Sequence, residues 1–300
     1  VATAVDHAQA RRRPSVTRRA RLAVRRSGVF TGGPQRRLTS PLRVLPDFLI
    51  LGGVRCGTTS LYWYLKRHPS VVPARDKEPH FFNQRYDRGV GWYRANFPSR
   101  PYLALRHLVK RGRSITGEGS TWYLFDPETP PRARALLPAA RLIALLRNPV
   151  DRAYANYHHL LRKGRETRSF EQAVKEEEGY LASRLAGLVR PEYRGDAYAR
   201  SPYLARGIYR PQIQRWLAAY PPEQLLVVGF EDLARDPGAA YSRVLEFLGL
   251  APAAPYRLDA VNPGNYEPLD AQMRDHLVEF FRPHNAELFD FLDRDFGWER

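Results

Sequence analysis

The sequence predicts an α/β fold, a three-layer sandwich with a central parallel sheet flanked by helices, and three observations carry that expectation. Short apolar runs at Phe48–Leu51, Arg141–Leu146 and Leu225–Val228 read as strands buried on both faces, the pattern of a parallel sheet. Segments of helical periodicity alternate with them, as helices covering such a sheet would. The first run leads through Gly52-Gly53-Val54-Arg55-Cys56-Gly57 into the hydroxyl-rich start Thr58-Thr59-Ser60, a strand–turn–helix order. With 300 residues, of which 43% are hydrophobic, the chain is large enough to bury a substantial core.

In chain order, residues 1–45 are expected to be a basic tail and 46–300 one folded domain. Thr59–His68 should be the helix after the first strand, with Leu61, Tyr62 and Leu65 on one face. Val71–Val72 reads as a short strand stopped by Pro73, and Ala74–Arg113 as a long irregular stretch rich in aromatics. Ile115–Gly117 is a further strand. Arg141–Leu146 ends in Arg147-Asn148-Pro149, and proline at its start favours a helix over Val150–Arg162. Helices are expected at Phe170–Gly179, Tyr209–Tyr220, Ala239–Leu248 and Ala271–Phe281, with a short one over Asn285–Leu292, and a surface loop at 188–202. Ligands of such sheets bind at the carboxyl ends of the strands. That rule gathers Gly52–Ser60, Gly117–Thr121 and Arg147–Asn148 around one crevice.

The formal charge of +17 is concentrated upstream: eleven arginines precede Pro46 against one acidic residue, Asp6. An arginine-rich, aperiodic segment is usually solvated, so the charge does not by itself imply a specific nucleic-acid partner. One cysteine, Cys56, excludes an internal disulfide framework, and no apolar run is long enough to span a bilayer. These features favour a cytoplasmic protein.

Three constellations carry chemistry. The turn and helix start direct backbone N–H groups and the helix dipole at one point, which suits an anion. Its spacing is that of a nucleotide-triphosphate loop, but Thr58 stands where that loop has lysine, and the basic residue is Arg55 within the turn. Lys77-Glu78-Pro79-His80-Phe81-Phe82 places a carboxylate between two potentially cationic side chains, suiting either a general base or an ordinary surface pair. Arg147 leaves a buried strand beside a helix start, where it would meet a second anionic group, while Asp151 could cap that helix and pair with Arg152.

Together these residues resemble sulfotransferases that use 3′-phosphoadenosine 5′-phosphosulfate (PAPS), in particular the heparan sulfate branch and its bacterial relatives. Phe82-Asn83, Gly89, Trp92-Tyr93, Phe97-Pro98 and the closing run from Phe281-Arg282-Pro283-His284-Asn285 to Asp295-Phe296-Gly297-Trp298 are also similar to that branch. The resemblance implies a P-loop-like fold and transfer of a sulfuryl group to a hydroxyl or amine of a small-molecule or glycan acceptor, with no metal. It implies that Glu78 is the base, with Lys77 and His80 beside it. Arg55, Cys56, Gly57, Thr58, Thr59 and Ser60 would hold the 5′-phosphosulfate, Arg147 the 3′-phosphate of PAPS or its product PAP, and Gly264, Asn265 and Tyr266 would close over the nucleotide. The chain departs from the family pattern at three places: Arg55 replaces the loop lysine, Ala155 a helix serine, and Gly119 the lysine of a Glu-Lys-Ser motif. An unreplaced hydroxyl bond to a charged group costs roughly 1.5–3 kcal/mol. Trp92, Tyr93, Trp122 and Tyr123, with Arg75, Arg85, Arg88, Arg162 and Lys163, are candidates to line a carbohydrate cleft.

Rival readings are a nucleotide-dependent kinase, which Thr58 opposes, and a thiol enzyme built on Cys56, which Tyr62 opposes because a phosphatase needs arginine there. A nucleic-acid binder acting through the tail and a PAP-binding protein without turnover complete the alternatives.

Overall fold

The computed structural model describes residues 33–110, 113–184, 202–253 and 266–299. Its elements in chain order are α1 (Gly33–Leu38), β1 (Phe48–Ile50), α2 (Thr58–Leu65), β2 (Val71–Pro73), α3 (Phe81–Gln84), α4 (Gly89–Arg94), α5 (Arg100–Lys110) and β3 (Ile115–Glu118). There follow α6 (Thr129–Leu136), β4 (Arg141–Leu146), α7 (Pro149–Arg162), α8 (Phe170–Arg184), α9 (Arg210–Ala219), β5 (Leu225–Gly229), α10 (Phe230–Arg235), α11 (Pro237–Phe247) and α12 (Ala271–Leu292). The five strands form one sheet in the order β2-β3-β1-β4-β5, with every pairing parallel.

Both faces of the sheet are covered, which explains why its strands read as unbroken apolar runs. Alternate residues of β1 and β4 enter opposite layers. Phe48, Ile50, Ile143 and Leu145 pack with Leu61 and Leu65 of α2 and Val244 of α11. Leu49, Leu142, Ala144 and Leu146 pack with Ile213 and Trp216 of α9 and Leu288 of α12. Truncating one of these leucines to alanine costs about 2–5 kcal/mol. A third cluster joins α7, α8 and α12 through Val150, Tyr157, Phe170, Leu277 and Phe281. Gly117 of β3 is required by close approach: a Cβ there would stand 2.4 Å from the Phe48 ring.

Four expectations change. Residues 1–32 lie outside the described part, but residues 33–45, expected as tail, belong to the body. Arg36 is buried, donating from Nε to Ala95 O (2.6 Å) and from Nη2 to Phe97 O (2.8 Å), and Arg43 donates from Nη1 to Phe97 O (2.8 Å). Carbonyls just past the short helix α4 lack helical donors, and these guanidinium groups supply them. Residues 74–110 are not irregular but hold α3, α4 and α5. Helices α3 and α4 are too short to stand on propensity. They are held by aromatic packing, with Phe81 stacked on Tyr93 (centroids 4.4 Å apart) and Phe82 edge-on to Tyr123 (5.5 Å). The expected break before Asn285 does not occur, because α12 runs through Pro283 while Phe281, Asn285 and Leu288 stay buried on one side. Helices α6 and α10 were not anticipated. The 188–202 loop lies outside the described residues except for Pro202.

Candidate active site

The loop after β1 is shaped by two residues in left-handed conformation, Arg55 (φ 71°) and Gly57 (φ 81°). Gly57 is the N-cap of α2, and its carbonyl accepts the first helical bond, from Leu61 N at 3.1 Å. The amides of Thr58–Ser60 therefore belong to the turn that a helix leaves without intrahelical acceptors. Gly53 N donates to Leu145 O (3.2 Å), which fastens the loop to the end of β4.

The crevice inferred from the strand ends is present. Lys77, on the loop after β2, reaches the start of α2, with Nζ 3.2 Å from both Thr58 Oγ1 and Thr59 Oγ1. The same ammonium donates to Glu78 Oε1 at 2.6 Å. Glu78 Oε2 lies 3.4 Å from His80 Nε2 and 3.5 Å from Thr121 Oγ1. Burial raises the Glu78 carboxyl, but the bond to His80 and the charge of Lys77 outweigh it, leaving the group at about 2. The lysine missing at position 58 is thus supplied in space by Lys77, so Thr58 by itself is weaker evidence against a kinase than the sequence spacing suggests.

A second, fully buried carboxyl stands behind Glu78. Glu118, the last residue of β3, accepts from Tyr93 Oη (2.9 Å) and Ser120 Oγ (2.7 Å). Ser120 Oγ in turn accepts the His80 amide (3.1 Å), and Tyr123 Oη accepts the Phe81 amide (2.8 Å). His80 has left-handed backbone (φ 51°), so these bonds hold a conformation its side chain disfavours. Burial pushes Glu118 up to about 7 despite its three hydroxyl partners, and Glu78 adds to the rise. The sequence reading noted Glu118 only as part of a family motif. Its apolar surroundings come from distant aromatics, so no local signal marked it.

On the other side of the loop, Arg147 donates from Nη1 to Arg55 O at 3.2 Å and lies over the Phe230 ring (4.7 Å). Tyr209 Oη donates to Arg147 O (2.8 Å). The α7 cap is Asn148, whose Oδ1 accepts from Val150 N (2.9 Å), and not Asp151. Asp151 pairs instead with Arg274 (2.7 Å), while buried Arg152 donates to Tyr203 O. Glu231 accepts from Asn148 N (2.8 Å) and Trp298 Nε1 (3.1 Å), so the C-terminal run braces this corner. The roles of Tyr209 and Glu231 escaped the sequence reading because both act through contacts remote in sequence.

The field at this corner is positive. Burial, then Arg162, lowers the Arg55 guanidinium. Burial, with Lys163, Arg55 and Arg162 adding to it, lowers His159 to about 4. Nε of Arg55 and Nε of Arg147 are both buried without a hydrogen-bond partner among the described residues. Two such donors in a positive field fit a ligand with two anionic groups. Arg162 thus adds its charge at Arg55, and Lys163 at His159. Tyr266 stacks on His158 (4.4 Å, 3°), whereas Gly264 and Asn265 lie outside the described residues. Ala155 is completely buried.

Cys56 is buried and its thiol is pushed up to about 11 by burial, contrary to the activated thiolate a cysteine enzyme needs. Tyr93 and Tyr123 prove to be core residues, and Trp122 lies under Arg206 (3.4 Å). Trp92 lines a cavity of about 400 Å³, together with Arg37, Arg75, Asp76, Arg88 and Asn96. No group of three or more His, Cys, Asp and Glu side chains among the described residues is placed to hold a metal, and no described helix is long and apolar enough to cross a membrane.

The parallel sheet, the glycine-bounded loop and the cations around it define a P-loop-like α/β protein with a cationic crevice at the strand ends. The sequence profile of the sulfotransferase domain matches residues 45–262, and the chain belongs to that family. A crystal structure of a sulfotransferase from Alicyclobacillus acidocaldarius is 33% identical, with a TM-score of 0.64 over 86% of this chain and 100% of that one. The membrane-associated sulfotransferase kil1 of Dictyostelium discoideum is 25% identical over 86% of this chain and 67% of its own length. Human bifunctional heparan sulfate N-deacetylase/N-sulfotransferase 3 is 30% identical over 83% of this chain, and human heparan sulfate glucosamine 3-O-sulfotransferase 3B1 is 29% identical over 85%. The match spans 30% and 65% of those two proteins.

Proposed function

We propose that this sulfotransferase uses PAPS as donor, that its acceptor is a hydroxyl or amine of a carbohydrate, and that Glu78 is the general base. The observation that carries the reading is the meeting of three loops at one crevice: Lys77 and Glu78 against Thr58–Thr59, with Arg147 bonded to the Arg55 carbonyl. Arg55, Lys77 and the Gly57–Ser60 turn would hold the 5′ end of the donor. Arg147, with Arg162 adding charge, would hold the 3′-phosphate and so distinguish PAPS from ATP or GTP. PAPS, when bound, supplies the sulfuryl group.

The residues of the chain position the reactants and neutralise charge. Glu78 would accept the acceptor proton, and His80 would orient its second oxygen. A carboxylate held at about 2 is a weak base. Anions arriving beside Thr58 and Thr59 would compete for the Lys77 ammonium and relieve that depression, coupling donor binding to base strength. Arg55 stays cationic and so contributes charge, not a proton. Trp92 and the arginines around its cavity support a carbohydrate acceptor, since sugars pack on aromatic faces, and the names of the heparan sulfate relatives point the same way. A cytoplasmic location belongs to the same proposal, supported by the sole cysteine being free and buried.

Calorimetry with PAP, ADP and GDP tests the donor. A clear preference for PAP is expected, and equal response to the three would remove the assignment and restore the kinase reading. Labelled PAPS offered with glycans, phenols and amines then identifies the acceptor class. Binding of PAP with no transfer to any acceptor would leave the non-catalytic binder in its place.

A further inference from the structure

We infer that helix α5 (Arg100–Lys110) is a peripheral docking element whose apolar face enters the headgroup boundary of an anionic lipid bilayer. The helix carries apolar residues on two sides, and only one of them is turned to the body. Tyr102, Leu103 and Arg106 are its partly buried positions, and Arg106 donates to the Pro69 carbonyl. The outward side carries Leu105, Leu108 and Val109, exposed to 47%, 78% and 70%. Pro101 and Ala104 are exposed with them, and Arg100 and His107 flank the stripe, also exposed. A surface helix ordinarily turns its apolar stripe to the core and its charges to water. Here Tyr102, Leu103 and Arg106 take the side toward the body, and two further leucines and a valine are left facing out.

Charge selects the occupant. From Arg88 to Gly117 the sequence contains seven Lys and Arg residues and no Asp or Glu; Arg113 is paired with Asp47, and Arg100 is exposed beside the stripe. A second copy of the chain would bring the same positive segment into contact with itself, and the arginine-rich residues upstream of Gly33 would be repelled for the same reason. The patch therefore suits an anionic surface. One helix of 11 residues is only about 16 Å long. A stable protein interface needs on the order of 800 Å² from each partner, more than three apolar side chains on such a rod provide. A bilayer has no such requirement: shallow insertion of a few apolar side chains, with basic groups at headgroup level, is the usual design of an interfacial helix. Each nearby cation contributes roughly a fivefold gain in partitioning to anionic lipid.

Cosedimentation of the full chain with phosphatidylcholine vesicles, with and without phosphatidylserine, tests the inference. Binding is expected to the phosphatidylserine vesicles, weakening with salt. The double variant Leu108→Glu/Val109→Glu should bind at least roughly tenfold less while keeping the wild-type far-UV circular dichroism, since both positions are exposed. Leu108→Cys carrying an environment-sensitive fluorophore should shift its emission to the blue on those vesicles, and buried Cys56 should not compete for the label. Absence of wild-type binding, or equal binding by the double variant, overturns the inference. So does loss of binding in Arg11→Ser/Arg12→Ser/Arg13→Ser with the helix intact, which would move the contact to the upstream segment. A dimer that dissociates in the double variant would give the face to a second copy.

Discussion

The two loops that meet at the crevice are built on different principles. Gly52–Ser60 takes its shape mainly from its own backbone: Arg55 and Gly57 in left-handed conformation and a helix starting at Thr58 set the turn within one short stretch. The Lys77–His80 loop has no regular structure of its own. The side chains of Lys77 and Glu78 are held by Thr58, Thr59 and Thr121, and the His80 amide by Ser120. The first loop can be read along the chain, whereas the second has chemical meaning only once three strand ends are side by side.

The largest effect separating the loops is expected from Glu78→Gln. Turnover should fall about 100- to 10,000-fold, with PAP binding by calorimetry retained or somewhat tighter, because a neutral amide leaves Lys77 freer for the donor. If PAP affinity falls as far as turnover, the two loops are not functionally distinct. Arg147→Ala reverses the pattern: losing a charged hydrogen bond should weaken PAP about 10- to 150-fold in the same measurement. Retained affinity would mean that the 3′-phosphate lies elsewhere.

Lys77 belongs to both loops, so its removal sharpens the comparison. In Lys77→Met the Glu78 carboxyl loses one of the two partners that hold it at about 2. The acid limb of the pH profile of kcat/KM should then move upward toward the ordinary carboxylate range, and an unmoved limb would detach Lys77 from the base. The smallest effect concerns Glu118, raised by burial from the usual carboxyl value to about 7. The folded state holds this proton more tightly than the unfolded chain, so its stabilising contribution is complete below about pH 4.3 and is lost as the pH rises to about 7. Glu118→Gln should flatten that part of the Tm–pH curve. With the His80 amide still able to reach Ser120, turnover should fall by only about tenfold or less.

Much of the donor side was legible in advance. The strand Phe48–Ile50, the turn and the helix beginning at Thr58 follow from local sequence, and the strand-end rule put Arg147 beside that turn, where it bonds to the Arg55 carbonyl. Less legible were residues whose meaning depends on partners far along the chain. Arg36 and Arg43 read as part of a solvated tail, yet carbonyls more than fifty positions away bury them. Trp92 and Tyr93 are adjacent and of similar character, but one lines a cavity and the other fills the core. Asp151 looked like the α7 cap, but Asn148 took the position and left Asp151 for Arg274 on α12.

What the sequence by itself determined is the chain order of the five strands, the glycine-bounded turn and the family, because apolar periodicity and backbone preference act over a few neighbouring residues. What only the tertiary structure decided is the protonation and partnership of the charged groups: Lys77 at the mouth of the loop, Glu78 held ionised and Glu118 pushed toward neutrality. Those properties arise from burial and from charges within a few ångströms, and both are set by which segments the sheet brings together.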